Sequence, residues 1–212
     1  LPGSKNTIED LACLSRTGMA EAIVAYYKAG GTVVGLCGGY QMLGLRVTDP
    51  LGVESRLRQV SGLGLLEMDT EMVLDKITSQ VEAVFLAHSR FSFQPAEPLF
   101  GYEIHMGRSV ARGAAQPLFH IRRRSGRRAD ELDGLAQPDG RVWGTYIHGI
   151  FDNDQFRRSF LQDLHERSGR TSAHAASAFS YRQWKEEQYD HLAEAVRRHC
   201  DVERSTSQCR RT

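Results

Sequence analysis

The sequence predicts an α/β fold with parallel strands, and three observations carry that prediction. A helical pattern over 19–29 precedes a β-branched strand over 32–36, and a short helix follows that strand. Glycines flank Cys37 at the junction, which indicates a strand-to-helix turn too tight for larger neighbours. A second apolar strand, over 141–147, ends beside a histidine. Helices that alternate with strands are typical of an α/β sheet.

Each N-terminal element has its own local signal. A loop over 2–7 leads into a helix whose apolar residues recur at helical spacing, with Thr7 as the expected cap. Gly18 ends that pattern, and the second helix closes on Gly30-Gly31. The helix after Cys37 ends near Gly44.

The middle of the chain has short strand candidates separated by turn residues. Strands are predicted over 81–87 and 102–106. An arginine-rich run over 122–128 indicates a solvated hairpin tip. Asp139-Gly140 is a strong turn signal before the strand over 141–147.

The last part of the chain is helical in pattern. Small residues over 168–177 indicate a linker, and an amphipathic helix is predicted over 181–199. We therefore expect one domain over 1–167 and a helical extension over 168–203 that packs on it. Residues 204–212 have almost no apolar content, which predicts a disordered tail.

Composition limits the function classes. The chain has 212 residues, enough for one domain with an appendage, and a net charge of +1. That charge gives no electrostatic case for binding nucleic acid or an anionic membrane. Apolar runs fall short of the roughly 20 residues that a membrane helix needs. The four cysteines show no zinc spacing, so we predict no metal site and a reducing, cytoplasmic location.

Cys37 is the strongest candidate for chemistry. The turn would lift its sulfur above the carboxyl edge of the sheet, where N–H groups of the following helix favour a thiolate and stabilise an oxyanion. The alternative is a buried cysteine beside two packing glycines.

A cysteine nucleophile needs a base, and the sequence offers eight histidines. His148 lies just past the strand over 141–147, and residues beyond parallel strand ends face the ligand crevice. His105 lies inside an alternating strand and is a better wall residue or substrate contact. A second oxyanion donor is expected from the loop at Gly3 and Ser4, where glycine permits close backbone approach.

Several segments together resemble a known family, the glutamine amidotransferase domain of cobyric acid synthases, within the class I (triad-type) amidotransferases. The tight turn around Cys37 is shared by many amidotransferases. The segments over 1–7 and 101–107 are much more specific to the family. In chain order the segments are Leu1-Pro2-Gly3-Ser4-Lys5-Asn6-Thr7, Leu36-Cys37-Gly38-Gly39-Tyr40-Gln41-Met42-Leu43-Gly44, Asp49-Pro50-Leu51-Gly52-Val53-Glu54-Ser55, Gly62-Leu63-Gly64-Leu65-Leu66, Gly101-Tyr102-Glu103-Ile104-His105-Met106-Gly107 and Gly144-Thr145-Tyr146-Ile147-His148-Gly149-Ile150-Phe151-Asp152-Asn153.

The resemblance implies a fold and a reaction. The sheet would be flavodoxin-like, open and mostly parallel, flanked by helices, with some antiparallel strands in the middle, and 1–167 would be part of a class I domain. Cys37 would attack the side-chain amide of glutamine, and His148 would protonate the departing ammonia. The family implies oxyanion or substrate-binding roles for Gly3, Ser4, Gly38, Gly39, Tyr40, Gln41, Glu103 and His105.

The resemblance also implies a partner. The ammonia would reach a separate N-terminal synthetase domain, which uses ATP and Mg²⁺ to amidate four peripheral carboxylates of adenosylcobyrinic acid a,c-diamide. This chain has no phosphate-binding P-loop, so we expect no cofactor in it.

Two features depart from the family pattern. Many class I enzymes have a glutamate two residues after the catalytic histidine, where this chain has Ile150. His148 must then be oriented by another group, such as Glu103, or by the backbone. The family's domain also begins several strands before the Pro-Gly-Ser loop. We therefore expect an exposed sheet edge, and an isolated chain of low stability or one that associates through that edge.

Three other functions stay open from the sequence. The chain could serve another acceptor, such as a cell-wall lipid carboxylate. It could be a binding or regulatory module that has lost activity. On chemistry alone it could be a general cysteine hydrolase.

Overall fold

The computed structural model describes residues 1–86, 91, 98–169 and 179–200. The chain divides into two units, Leu1–Ser172 and Ala173–Thr212. Of the elements in the described residues, the first unit carries the sheet and every helix except the last. In the second unit, a helix spans Tyr181–His199 (α5). The expected tail over 204–212 and most of the expected linker over 168–177 lie outside the described residues.

The N-terminal part of the chain, up to Met42, has the predicted order of helix, helix, strand, tight turn and helix. The elements are α1 (Thr7–Arg16), α2 (Met19–Lys28), β1 (Val33–Leu36) and α3 (Gly38–Met42). The cap of α1 differs from the prediction, because the side chain of Asn6 accepts the hydrogen bond from the Glu9 N–H. Thr7 is instead the first residue of the helix itself, and its hydroxyl donates to the side chain of Gln41 at 2.8 Å.

Seven further strands follow β1 in the described residues, namely β2 (Arg46–Thr48), β3 (Gln59–Ser61), β4 (Met68–Phe85), β5 (Leu99–Ala111), β6 (Gln116–Arg124), β7 (Arg127–Ala136) and β8 (Val142–Thr145). Together the eight strands form one sheet in the order β1-β8-β7-β6-β4-β2-β3, with β5 paired to β4. The α/β class is confirmed, as are the antiparallel strands in the middle.

The expected predominance of parallel strands is wrong for the described residues. Only β1–β8 and β2–β4 run parallel, whereas the other five pairings are antiparallel. Parallel neighbours need long crossovers, whereas β5 to β8 follow one another through short connections. The arginine-rich run is a hairpin tip as predicted, with Ser125 and Gly126 both at positive φ between β6 and β7.

Strand β8, which leads to His148, lies within the core. All four of its residues are buried, and successive side chains face opposite sides of the sheet. Val142 packs with apolar residues of α1, α2 and α3, whereas Trp143 joins an aromatic cluster with Phe156 and Phe160 of the last helix of this unit, α4 (Asp154–Arg167). A strand buried on both faces is a rigid support for the residues that follow it.

The other side of β1 is bonded to the first residue of the chain. The Leu1 amino group donates to the carbonyl of Val34 at 2.7 Å, and the Leu36 N–H donates to the Leu1 carbonyl at 3.0 Å. The low stability expected for the isolated chain stays a prediction. Within the described part of the chain, no helix has the length and apolar character required to cross a membrane.

Candidate active site

Cys37 occupies the predicted strand-to-helix turn between β1 and α3. Its backbone has φ 52° and ψ −110°, a conformation that residues other than glycine rarely adopt. The turn also brings its two flanks into contact, because a side-chain carbon on Gly35 would lie 2.5 Å from the carbonyl oxygen of Gly39. This strained geometry, with its flanking glycines, is that of a nucleophile elbow.

His148 reaches the same place from the neighbouring strand. Strand β8 runs parallel to β1, so their carboxyl ends lie at one edge of the sheet. A side-chain carbon added to Gly3 would lie 3.4 Å from Cε1 of His148 and 3.7 Å from Cβ of Cys37. The structure therefore brings Gly3, Cys37 and His148 together around one small space.

Both catalytic candidates are neutral at rest. Burial raises the pKa of the Cys37 thiol, opposed by the Gly38 N–H, and the carboxylates of Glu54 and Asp133 raise it further. Burial lowers the pKa of His148, and the nearby imidazole of His105 lowers it further. The elbow therefore favours a thiol beside a neutral imidazole rather than the thiolate that the sequence suggested, because burial outweighs the N–H groups.

The imidazole of His148 has a free nitrogen and a fixed plane. Its Nε2 is buried and has no hydrogen-bond partner within the described part of the protein. The ring stacks on Tyr102 with the centroids 5.0 Å apart. Such a nitrogen is available to exchange a proton with the thiol and the substrate.

The loop at Gly3 and Ser4 lies directly on the elbow. A side-chain carbon on Gly38 would lie 2.8 Å from the backbone nitrogen of Ser4. The side chain of Ser4 serves the loop itself, since its hydroxyl donates to Asp10 at 2.5 Å and accepts from the Asn6 N–H at 3.0 Å. The backbones of Gly3, Ser4 and Gly38 therefore lie together at the elbow, and an oxyanion-binding role for their N–H groups stays a prediction.

Gly39, Tyr40 and Gln41 lie behind the elbow rather than in its opening. Gly39 packs against the backbone of Leu1, and the ring of Tyr40 meets the ring of Tyr146 edge-on. Gln41 is 2% exposed, and its side chain binds Thr7 and Tyr146. These contacts support the site, and direct binding of substrate by the three residues stays a prediction.

Glu103 and His105 point to the buried face of β5. Glu103 is 1% exposed, whereas its neighbours Tyr102 and Ile104 are 45% and 41% exposed. Its carboxylate lies 3.0 Å from Arg124. The ring of His105 stacks on Tyr146 with the centroids 3.8 Å apart. Glu103 therefore pairs with Arg124 in this structure and is no evident orienting group for His148.

Sequence reasoning missed the group that does meet both catalytic candidates. The thiol of Cys37 lies 3.5 Å from the carbonyl oxygen of Ile104, and the same carbonyl faces His148, where it favours the protonated ring. A backbone carbonyl has no residue-type signal. Ile150, two residues after His148, is fully buried beside the aromatic cluster.

The described residues contain no cluster of three or more His, Cys, Asp or Glu side chains that could hold a metal ion. Cys37 and His148 themselves offer a thiol and an imidazole, a pair that suits acyl transfer through a covalent intermediate.

Comparison with known proteins identifies the family. Residues 1–156 match the model of the CobB/CobQ-like glutamine amidotransferase domain. The chain belongs to this family. The amidotransferase domain is 61% identical over 204 residues to a cobyric acid synthase of Syntrophobacter fumaroxidans, a match that covers 96% of this chain and 40% of the relative.

Other comparisons agree. A cobyric acid synthase of Photorhabdus laumondii is 42% identical over all of this chain and 41% of the relative. The domain thus spans about 40% of the length of these relatives. A solved glutamine amidotransferase matches with a TM-score of 0.52 and 15% identity, over 79% of this chain and 77% of the other. PurLQS of Thermotoga maritima matches with a TM-score of 0.50 and 18% identity, over 69% and 68%. These likenesses show the fold.

Proposed function

We propose that this domain hydrolyses glutamine through Cys37 and His148. As the Cys37 sulfur attacks the side-chain amide carbon, Nε2 of His148 accepts the thiol proton, and the backbones of Gly3, Ser4 and Gly38 stabilise the oxyanion. His148 then gives that proton to the departing nitrogen, which leaves as ammonia. A glutamyl thioester remains on Cys37.

The second half of the cycle restores the enzyme. Water attacks the thioester carbon while His148 accepts one of its protons, and glutamate leaves as the C–S bond breaks. The proton returns to the sulfur. The neutral resting pair suits this sequence because His148 must be unprotonated at each attack.

The observation that carries the proposal is the meeting of Cys37 and His148 at Gly3. Two parallel strand ends, 111 positions apart in sequence, deliver a strained nucleophile and an imidazole with an unpaired nitrogen to one small space. The family membership of the chain supports glutamine as the amide.

We further propose that the ammonia serves a cobyric acid synthase. The identity of 61% to such a protein supports this, as does the share of the relatives that lies outside the match. In that setting an ATP- and Mg²⁺-dependent synthetase domain would amidate peripheral carboxylates of adenosylcobyrinic acid a,c-diamide, in cobalamin biosynthesis in the cytoplasm. This chain would contribute the glutaminase reaction only.

Labelling with the glutamine analogue diazo-oxo-norleucine tests the nucleophile. We expect the wild-type chain to release ammonia from glutamine and to be labelled at Cys37. Cys13→Ala is the matched control, because Cys13 is an exposed free thiol away from the elbow. Cys37→Ala should lose both ammonia release and the label, whereas Cys13→Ala should keep both.

Ile150 stands where many class I amidotransferases have a glutamate, and this favours the alternative of a binding or regulatory module that has lost activity. That module would leave Cys37 unlabelled in the wild-type chain.

The acceptor is tested in the full-length parent protein. Cys37→Ala there should abolish glutamine-dependent amidation of the corrinoid and leave ammonia-dependent amidation unchanged; survival of the glutamine-dependent reaction would refute the assignment.

A further inference from the structure

The loop that carries His148 is attached to β5 by a single antiparallel bridge, which is one backbone pair of a potential ladder. The His148 N–H donates to the Tyr102 carbonyl at 2.8 Å, and the Tyr102 N–H donates to the His148 carbonyl at 3.1 Å. In such a ladder, residue 150 would pair next with Phe100. The chain turns away there into a 3-10 turn over Ile150–Asp152, so its backbone makes no such pair.

The side chain of Asn153 takes the missing place in the ladder. Its Oδ1 accepts from the Phe100 N–H at 2.9 Å, and its Nδ2 donates to the Phe100 carbonyl at 2.9 Å. The same Nδ2 lies 3.2 Å from the carbonyl of Gly149 and 3.0 Å from that of Ile150. One side-chain amide thus binds β5 on one side and the His148 loop on the other.

A helix cap does not explain this residue. Asn153 stands at the N-cap of α4, where asparagine is a preferred residue, yet its side chain makes no capping hydrogen bond to that helix. All four contacts of the amide go to Phe100, Gly149 and Ile150 instead.

The clamped segment of β5 is also the part that reaches the nucleophile. Two residues beyond Tyr102, the carbonyl of Ile104 lies 3.5 Å from the Cys37 thiol. Strand β5 is therefore attached at three alternate residues. The Asn153 amide binds Phe100, and His148 pairs with the backbone of Tyr102 and stacks on its ring. The carbonyl of Ile104 meets the Cys37 thiol.

We propose that Asn153 is a positioning residue, which clamps β5 to the His148 loop and so holds the His148 ring and the Ile104 carbonyl against Cys37. The inference rests on the proposed glutaminase reaction. The backbone of β5 would then orient the imidazole in a domain that has Ile150 where many class I amidotransferases have a glutamate.

Substitutions at Asn153 separate a clamp from a helix cap. Asn153→Asp keeps the size and caps a helix at least as well, but it loses the donors and sets a negative charge against three carbonyls. If Asn153 served only as the cap of α4, Asn153→Asp would be as stable and as active as the wild type. The clamp predicts that kcat for glutamine falls about 10- to 100-fold in Asn153→Asp and Asn153→Ala, with KM within about threefold.

The matched control is Gln137→Ala. The Gln137 amide is also half-buried and donates to a backbone carbonyl, that of Leu65, at 2.6 Å. It lies beyond the end of β8 that is remote from His148. Gln137→Ala should keep the wild-type kcat even where its melting temperature falls as much as that of Asn153→Ala. Equal kcat values in these two variants would overturn the proposal.

Titration of His148 by NMR gives a readout that needs no turnover. Burial is the main cause of the lowered pKa of His148, with His105 adding to it and the Ile104 carbonyl opposing it. Release of the ring into water in Asn153→Ala should therefore raise this pKa toward its ordinary value. An unchanged pKa would refute the clamp. A wild-type chain without glutaminase activity would refute the proposed function, and the titration would still decide the clamp.

Discussion

The side-chain amide of Gln41 donates a hydrogen bond to the hydroxyl of Tyr146 at 3.3 Å, between residues 105 positions apart in sequence. This bond is the middle of a longer series of side-chain hydrogen bonds. Thr7 donates to Gln41 at 2.8 Å, and the Tyr146 hydroxyl lies 2.7 Å from that of Ser109. This hydrogen-bond network joins α1, α3, the segment before His148 and β5, which are the four elements that surround the site.

Tyr146→Phe tests how strongly this network holds those elements together. The substitution keeps the aromatic ring and its stacking with His105, and it removes the hydroxyl that Gln41 and Ser109 share. A buried donor left without a partner costs about 1–3 kcal/mol. We expect the free energy of unfolding in urea to fall by that amount.

Tyr27→Phe is the matched control for that measurement. The hydroxyl of Tyr27 donates to Asp139 at 3.2 Å in a half-buried position, where water can replace the lost bond. We expect a loss of less than about 1 kcal/mol there. Equal losses in the two variants would show that the Tyr146 hydroxyl has no special structural weight.

The sequence was sufficient for those parts of the site that depend on local pattern. Cys37 was predicted because only glycines fit the tight turn around it. His148 was predicted because it follows an apolar strand. The direction of the middle strands was not predictable from alternation alone, because alternation is the same in parallel and antiparallel neighbours.

The missed parts depend on contacts distant in sequence or on the backbone. Asn153 stands before a helix and has the sequence signature of a cap, although its side chain binds β5. The carbonyl of Ile104 is a group that every residue has. Gln41 follows the elbow and suggests a substrate contact, but Thr7 and Tyr146 occupy its side chain.

Asp133 should make the protein less stable as the pH rises from about 4 to 6. Burial raises the pKa of this carboxyl to about 6, from 3.8 in the unfolded chain, partly offset by hydrogen bonds from Thr145 and Tyr146. The folded state therefore binds more protons in that range, and its stability falls by roughly 3 kcal/mol from this group. Above the folded pKa the loss is complete.

Asp133→Asn removes that titration with little change of shape. Urea unfolding at pH 4 and pH 7 should show the variant gaining stability relative to the wild type by roughly 3 kcal/mol between the two pH values. Asp75→Asn, at an exposed position on β4, should follow the wild-type profile at both pH values. A difference between Asp133→Asn and the wild type that does not change with pH would contradict the raised pKa.

Glu54→Gln should make Cys37 a more reactive thiol. Burial is the main cause of the raised pKa of the Cys37 thiol, and the carboxylate of Glu54 raises that pKa further. Glutamine removes the negative charge and keeps an acceptor for the Thr7 N–H, which donates to Glu54 at 3.0 Å. We expect the midpoint of iodoacetamide alkylation to move to lower pH. Glu82→Gln, on β4, is the control, and a midpoint shared by both variants and the wild type would exclude the effect.

Gly3→Ala tests whether the space between Cys37 and His148 is the reaction space. The added methyl group would lie at ordinary contact distances, 3.4 Å from Cε1 of His148 and 3.7 Å from Cβ of Cys37, so the fold should accept it. It would occupy the volume that the tetrahedral intermediate and its oxyanion need. We expect kcat/KM for glutamine to fall about 100-fold or more, with a change in stability of less than about 1 kcal/mol.

Two probes of different size separate that blockage from damage to the nucleophile. Labelling of Cys37 by diazo-oxo-norleucine needs the whole glutamine-shaped space and should be lost in Gly3→Ala. Alkylation by the smaller iodoacetamide should persist, because the substitution leaves the thiol in place and this reagent needs only part of the space beside it. Wild-type kcat/KM in this variant would mean that glutamine reaches the sulfur from another side, and that the backbone of Gly3 does not bind the oxyanion.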